Sequence, residues 1–356
     1  MNLPASADQE APAAREPDVV QDGRGARLRL SLAVADYDHV RDLVTGVVTP
    51  EGIDLTPFVL PVEEIFFRFT KHLEWDVSEL SFAKYAALAS QGAAAMVALP
   101  IFPSRVFRHS AIYVRSGGPI SEVKDLENKT VGVPEWAQTA GIYVRGMLAE
   151  TYGVDLASIH WVQAGVNEPG REEKVEVRLP TGIRCESRPH SSLNALLLEG
   201  ELDAVISARP PSAFIAGDAR VARLFPDHRE VELEYWEATG IFPIMHAVTV
   251  RRAVLERHPW VGTSLLKAFE EAKRRSLERL FDFTASRIPL AWAASLAGEI
   301  RARFGADPWP YGLEANRRTL EAFCRFAHHQ GVTRGLMSPE DLFPAELHSS
   351  VTIPGQ

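Results

Sequence analysis

Short apolar, β-branched runs alternate with stretches whose apolar residues recur at helical spacing, and that alternation admits few folds. Residues 28–34 (LRLSLAV) read as a strand ending at Asp36, Tyr37 and Asp38, after which Val40, Leu43 and Val44 share one helical face before Gly46. Residues 53–60 are a second strand candidate. Val62, Ile65, Phe66 and Phe69 follow at i, i+3, i+4 and i+7, the stripe of a helix lying on a sheet. Residues 76–82 are a third strand, KYAALASQG a short helix closed by Gly92, and AMVALPIF a fourth strand. Alternation at these intervals predicts an α/β protein with parallel strands.

The middle of the chain repeats the theme. Residues 129–134 (KTVGVP) form a strand, Glu135 and Trp136 a turn, and Thr139 a cap for a helix carrying Ile142, Val144, Met147 and Leu148. A strand at 159–162, a polar insertion at 167–188, a helix over 193–198 and a buried strand at 202–207 come next. The last third turns helical: Leu265, Phe269 and Ala272 are spaced i, i+4, i+7, and Leu320, Phe323, Cys324 and Ala327 are spaced i, i+3, i+4, i+7, which makes Cys324 a core residue. Two α/β units, the second opening near Pro119 and closing near Tyr235, imply two lobes linked by more than one crossing, with a ligand cleft between them. The expected boundaries are a disordered tail at 1–26, a first lobe of 27–118 plus 237–356, and a second lobe of 119–236.

Charge and cysteine usage limit the partners. With 38 Lys plus Arg against 47 Asp plus Glu, the net charge of −9 makes neither nucleic acid nor an anionic membrane an expected partner, so a bound anion must meet a local basic site. Cys185 and Cys324 are too few for a disulfide framework or a Cys-based zinc site and suit a reducing cytoplasm. The first residues lack the basic and apolar regions of a secretory signal, and the most apolar stretch, 93–102, is short and broken by Pro100, so a soluble, unexported chain is expected. GIRCESRPH carries Cys185 and His190 without completing ligands, and the adjacent His328 and His329 point different ways on a helix, so no metal site is expected. Patterns for dinucleotide, triphosphate or serine-hydrolase sites are missing.

Several blocks are familiar. ALPIFPSRVFRHSAIYVRS, KTVGVPEWAQTAGIYVRGMLAETYGV, NEPGREEK, LDAVISARPPSAF, VARLFPDHREVE and TGIFPIMHAVTVRR, with the opening LSLAVADYDHVRDLVTGVVTPEGIDL, resemble the 4,5-dihydroxyphthalate decarboxylase family in order over 28–279. The resemblance implies a type II periplasmic-binding-protein-like α/β fold with a central interlobe cleft and a helical C-terminal segment. It also implies a cytoplasmic carboxy-lyase of phthalate degradation that converts 4,5-dihydroxyphthalate, or a close hydroxylated aromatic carboxylate, to protocatechuate and CO2. The competing class on such a fold is a non-catalytic protein that captures a small anion.

Losing CO2 directly from an arene leaves a carbanion whose charge cannot enter the ring. A hydroxyl para to the carboxylate opens an easier route, because a base takes the phenolic proton, an acid protonates the carboxyl-bearing carbon, and CO2 leaves as aromaticity returns. The site therefore needs a base, an acid and a cationic clamp for a dicarboxylate, with the departing group poorly solvated. This scheme obliges no metal or organic cofactor. Its partner is a small aromatic dicarboxylate, and a homo-oligomer is compatible with it.

Candidate residues follow. Arg105, Phe107, Arg108 and His109 stand just after the fourth strand, where a cleft loop would offer cations, an aromatic wall and an imidazole; as hinge residues they would instead cap, pair or open the crossing strand. Arg209 ends a short strand and would face the cleft, or else sit in a polar surface turn. His246, in GIFPIMHAV, is an acid or base where the chain returns to the first lobe, or a satisfied core residue. Trp136, Gln138 and Thr139 mark a helix entry whose N–H groups favour a carboxylate, or a plain cap beside an interlobe tryptophan. Asp36 and Tyr37, with Glu79 and Ser81 in the third strand's tail to take a phenolic proton or orient the diol, complete the set. Glu63 and Glu64 read as a solvated helix face, and NEPGREEK as a charged loop with a lobe-contact or lid role.

Overall fold

A computed structural model describes residues 18–22, 25–92, 94–284 and 287–349. The first elements are β1 (Val19–Asp22), β2 (Gly25–Val34), α1 (Asp38–Val44), β3 (Ile53–Val59), α2 (Val62–His72), β4 (Val77–Ser81), α3 (Phe82–Ser90), β5 (Met96–Ala98) and β6 (Ser104–Arg105). The chain continues through β7 (Ile112–Arg115), β8 (Thr130–Val133), α4 (Thr139–Glu150), β9 (His160–Gly165), β10 (Arg184–Ser192), α5 (Leu193–Glu199), β11 (Ala204–Ile206), α6 (Ser212–Ile215), β12 (Val221–Arg223) and α7 (His228–Thr239). It returns through β13 (Ile244–Arg251) to α8 (Arg252–Arg257), α9 (Trp260–Leu280), α10 (Ala293–Phe304) and α11 (Arg317–His329).

Two sheets result. In the first, β2 runs parallel to β3 on one edge and pairs with β1 and then β4 on the other, and β13 lies between β4 and the short strands β5 and β6. The second has the order β10-β9-β8-β11-β7-β12. Both are mixed, although the alternation predicts parallel strands. Besides β1, which pairs antiparallel with β2, the antiparallel members are β7 and β13, the strands that enter each sheet after crossing from the other, so they run against their neighbours.

The tail ends earlier than expected. Val19–Asp22 pairs antiparallel with Gly25–Leu28, so a hairpin extends the first sheet within the expected tail, whose residues 1–17 and 23–24 lie outside the described set. The polar insertion also ends in β10, a parallel edge strand on β9 with a single buried residue, which hides the signal of a strand. Phe82 opens α3 and does not close β4, and α4 takes Gln138 as its N-cap with Thr139 as its first residue.

The C-terminal helices bind the sheets together. α9 lies along α1, where Asp42 receives Arg275 at 2.6 Å and Arg279 at 2.9 Å. α11 reaches across to α4, where Gly146 leaves room for the Phe326 ring: a Cβ there would stand 2.3 Å from it. Cys324 on α11 is buried, as its spacing predicts. Among the described residues no helix is long and apolar enough to cross a membrane.

Candidate active site

β4 is buried along its whole length, yet three of its five residues, Ser78, Glu79 and Ser81, are polar. Burying such groups is costly unless each finds a partner. The pleat places Glu79 and Ser81 on the same face, and antiparallel pairing sets His246 of β13 opposite Ser81 and diagonal to Glu79. His246 Nδ1 then donates to Glu79 Oε1 at 2.6 Å. Tyr37 Oη donates to the same oxygen at 2.6 Å, and the Ala35 N–H donates to Oε2 at 2.9 Å from the end of β2.

Glu79 is 0% exposed. Burial pushes its carboxyl up, but the hydrogen bond and charge of His246, with the bonds from Tyr37 and Ala35, outweigh that and hold it below the usual carboxylate range. Tyr37 is raised far above an ordinary phenol by burial and by Glu79, so it stays a donor. With Nδ1 bound to a carboxylate, the tautomer and ring plane of His246 are set, and Nε2 is the nitrogen left for a ligand. Phe66 meets the imidazole edge-on, 4.9 Å between ring centres.

His246 lines a cleft of about 850 Å³ between the sheets. β4, β8, β9 and β11 all end there, so Ser81, Glu135, Gly165 and Ala208 sit at or just past strand carboxyl ends. The N-terminus of α4 enters the cleft at Gln138, Thr139 and Ala140. Thr139 Oγ1 lies 3.0 Å from Ser81 Oγ and accepts from the Ala83 N–H at 3.1 Å, tying the two sheets at the base of the cleft. At the mouth Arg209 meets Glu63 of α2 at 2.5 Å, a second link between the sheets. Gly165 allows the following loop to fold over the cleft, since a Cβ would stand 1.8 Å from Glu168 O.

Several cations line the cleft. Arg108 lines the cleft and donates to Met245 Sδ at 3.2 Å; no described carboxylate lies within ion-pair distance, and burial lowers its guanidinium to about 10, so it remains charged at neutral pH. Lys84, in the first turn of α3, lies 3.2 Å from Glu135 Oε2, while Arg171 and Lys174 approach Oε1 at 2.6 and 3.8 Å. Three cations thus surround one buried carboxylate, in a lining that also carries Glu63, Glu168 and Glu172. Among the described residues, no group of three or more His, Cys, Asp or Glu is placed to hold a metal ion.

Of the residues singled out in the sequence, Ser81, Arg108, Thr139, Arg209 and His246 line this cleft, and Glu79 and Tyr37 stand directly behind His246. Others lie elsewhere. Arg105 is buried and donates to Phe242 O, Pro310 O and Asn316 Oδ1, so its charge organises the C-terminal segment and does not face the cleft. Phe107 stacks on Phe242, 4.6 Å between centres. His109 sits among Phe225, Tyr235 and Tyr152 with neither ring nitrogen bonded, and burial lowers it to about 4. Trp136 donates to Gln330 O under the Arg145 guanidinium, and Asp36 is exposed outside the cleft lining.

Lys84, Glu135, Arg171 and Lys174 were not among the candidates. Lys84 falls within the short helix KYAALASQG and Glu135 within a turn; only the charge density of NEPGREEK hinted at Arg171 and Lys174. Glu63 is exposed, as expected of a solvated face, and that face borders the cleft.

No family model matches the chain. It is 38% identical over 326 residues to a 4,5-dihydroxyphthalate decarboxylase of Comamonas testosteroni, spanning 91% of this chain and 99% of that protein. It is 38% identical over 226 residues to a protein of the same name from Pseudomonas putida, spanning 63% of this chain and 86% of the other. Among solved structures it resembles the periplasmic aliphatic sulphonate binding protein SsuA from Escherichia coli at a TM-score of 0.50 and 12% identity, over 90% of this chain and 98% of that one, a likeness of fold.

Proposed function

The chain belongs to the 4,5-dihydroxyphthalate decarboxylase family, and from that premise we propose that the cleft decarboxylates 4,5-dihydroxyphthalate, or a close hydroxylated aromatic carboxylate, to protocatechuate and CO2 in cytoplasmic phthalate degradation. Decarboxylase chemistry is common to the relatives; substrate and mechanism are our reading. The observation that carries it is His246, backed by the buried Glu79, sharing one cleft with Arg108, a cation that no described carboxylate pairs.

In this reading Arg108 grips the carboxylate that stays, helped by the N–H groups at the start of α4. The departing carboxylate lies toward Phe66 and Met245, where poor solvation favours the loss of its charge. His246 Nε2 delivers a proton to the carbon bearing that carboxylate. Glu79 balances the imidazolium before transfer and holds the ring's orientation through it, while Tyr37 and the Ala35 N–H keep Glu79 ionised. The bond to CO2 then breaks and its electron pair restores the aromatic ring. The net change is one carboxylate and one proton becoming one C–H bond and CO2.

The test is incubation of chelator-treated protein with 4,5-dihydroxyphthalate while ring absorbance and released CO2 are followed together. Stoichiometric CO2 and protocatechuate are expected, and His246→Gln is expected to bind the substrate yet turn it over at least about a hundredfold more slowly. Binding without turnover by the unaltered protein would instead support a small-anion binding protein, and a fully active His246→Gln would remove His246 as the acid.

A further inference from the structure

We propose that Lys84, working with Glu135, handles the phenolic hydroxyl para to the departing carboxylate, so that this side of the cleft selects a hydroxylated ring. The inference rests on the cleft being a decarboxylase site. Lys84 stands three residues after Ser81, and Ser81 faces His246 across the β4–β13 pair, so the ammonium projects from the same strand end that carries the acid. Glu135 comes from the other sheet, in the turn after β8, and the pair closes at 3.2 Å. Both residues line the cleft, and neither takes part in the His246–Glu79 pair or in the bond from Arg108.

The arrangement exceeds what a structural ion pair requires. Arg171 already satisfies Glu135 Oε1 with two contacts, at 2.6 and 2.7 Å, so Lys84 is not needed to neutralise that carboxylate. Oε2, the oxygen facing Lys84, accepts no well-aligned hydrogen bond and retains capacity for a proton. Lys84 is only 6% exposed, and a buried ammonium without a task is expensive. Burial holds it below its ordinary value, with Glu135 opposing and Lys174 and Arg171 adding to the effect, so it passes a proton more readily than a surface lysine.

The step is a relay. The phenolic O–H gives its proton to Lys84 Nζ as Nζ passes one of its own to Glu135 Oε2, leaving phenolate, ammonium and a neutral Glu135. The phenolate pushes electron density to the para carbon, which forms a C–H bond with the proton from His246. The bond to the carboxylate breaks, CO2 departs, and its electron pair returns through the ring to the oxygen. Glu135 then gives the proton back through Lys84. No oxidant or reductant enters.

The experiment measures kcat and KM for 4,5-dihydroxyphthalate from neutral pH to about 10, where a phenol ionises unaided. Calorimetric binding of phthalate, which keeps both carboxylates and lacks the hydroxyls, accompanies it. For Lys84→Met we expect kcat at neutral pH to fall on the order of a hundredfold, phthalate affinity to fall far less than kcat, and kcat to recover as the substrate ionises by itself, a gain the unaltered enzyme does not show. Lys84→Arg keeps the charge but cannot pass on a proton, so it is expected to be as slow while folding normally. Parallel loss of phthalate binding and turnover, a pH profile matching the unaltered enzyme, or an active Lys84→Arg would each overturn the proposal. An unaltered protein that does not decarboxylate the substrate at all would overturn the reading it rests on, and the relay with it.

Discussion

His109 is 1% exposed and walled by Phe225, Tyr235 and Tyr152, with both ring nitrogens unbonded. Its imidazole is held near 4, below the ordinary 6.5, chiefly by burial. The unfolded chain therefore takes up a proton as pH falls through about 6.5 while the folded protein refuses it until about 4, so stability is lost across that window. His109→Phe removes both the proton linkage and the unsatisfied nitrogens. We expect a gain of about 1–3 kcal/mol at neutral pH that widens toward pH 5, read by denaturant unfolding at the two pH values. A wild type more stable than the variant at pH 5 would contradict it. His109 and His246 are both lone imidazoles in the sequence, the first beside Arg108 and Ser110 and the second among apolar residues. What separates them is a partner: Glu79 lies diagonal to His246 across a strand pair, and no polar side chain is bonded to His109. The polar residues of β4 were legible as candidates, but the identity of their partners was not.

At the level of elements, periodicity located the helices and strands that bury an apolar face, since burial is what writes period into sequence. β2, α2, α3 and α5 fall within a few residues of their expected places. β10, an edge strand with a single buried residue, carried no such period. The crossing of α11 on α4 is another feature without a local signal, because Gly146 lies in an otherwise ordinary helix and its need arises from a ring on a distant one. Gly146→Val would drive a branched side chain into Phe326. The expected cost is about 1–3 kcal/mol of overpacking, measured as a lowered denaturation midpoint; full stability would show that α11 shifts to make room. Glycine's greater flexibility in a helix works in the opposite direction and is smaller, so a net loss is the discriminating sign.

Over the whole molecule a net charge of −9 surrounds a cleft in which no described carboxylate pairs with Arg108 and three cations share one carboxylate. The local field at the site and the overall field oppose each other for an approaching dianion. Low-dielectric walls focus the local field, so we expect kcat/KM to fall as ionic strength rises, measured at saturating and limiting substrate; a rise would mean that the overall negative charge dominates. The exposed Arg209–Glu63 pair at the mouth adds little to stability, as such pairs do. By itself the sequence determined the α/β class, the placement of the main buried elements and, through long ordered blocks, the family. Those properties depend on apolar period and on residues close along the chain. Tertiary structure alone decided that Glu79 backs His246, that Lys84 meets Glu135 across the cleft, and that Arg105, Phe107, His109 and Trp136 are held elsewhere. Such pairings depend on strand register and on how two sheets face one another, and neither is written at any local spacing.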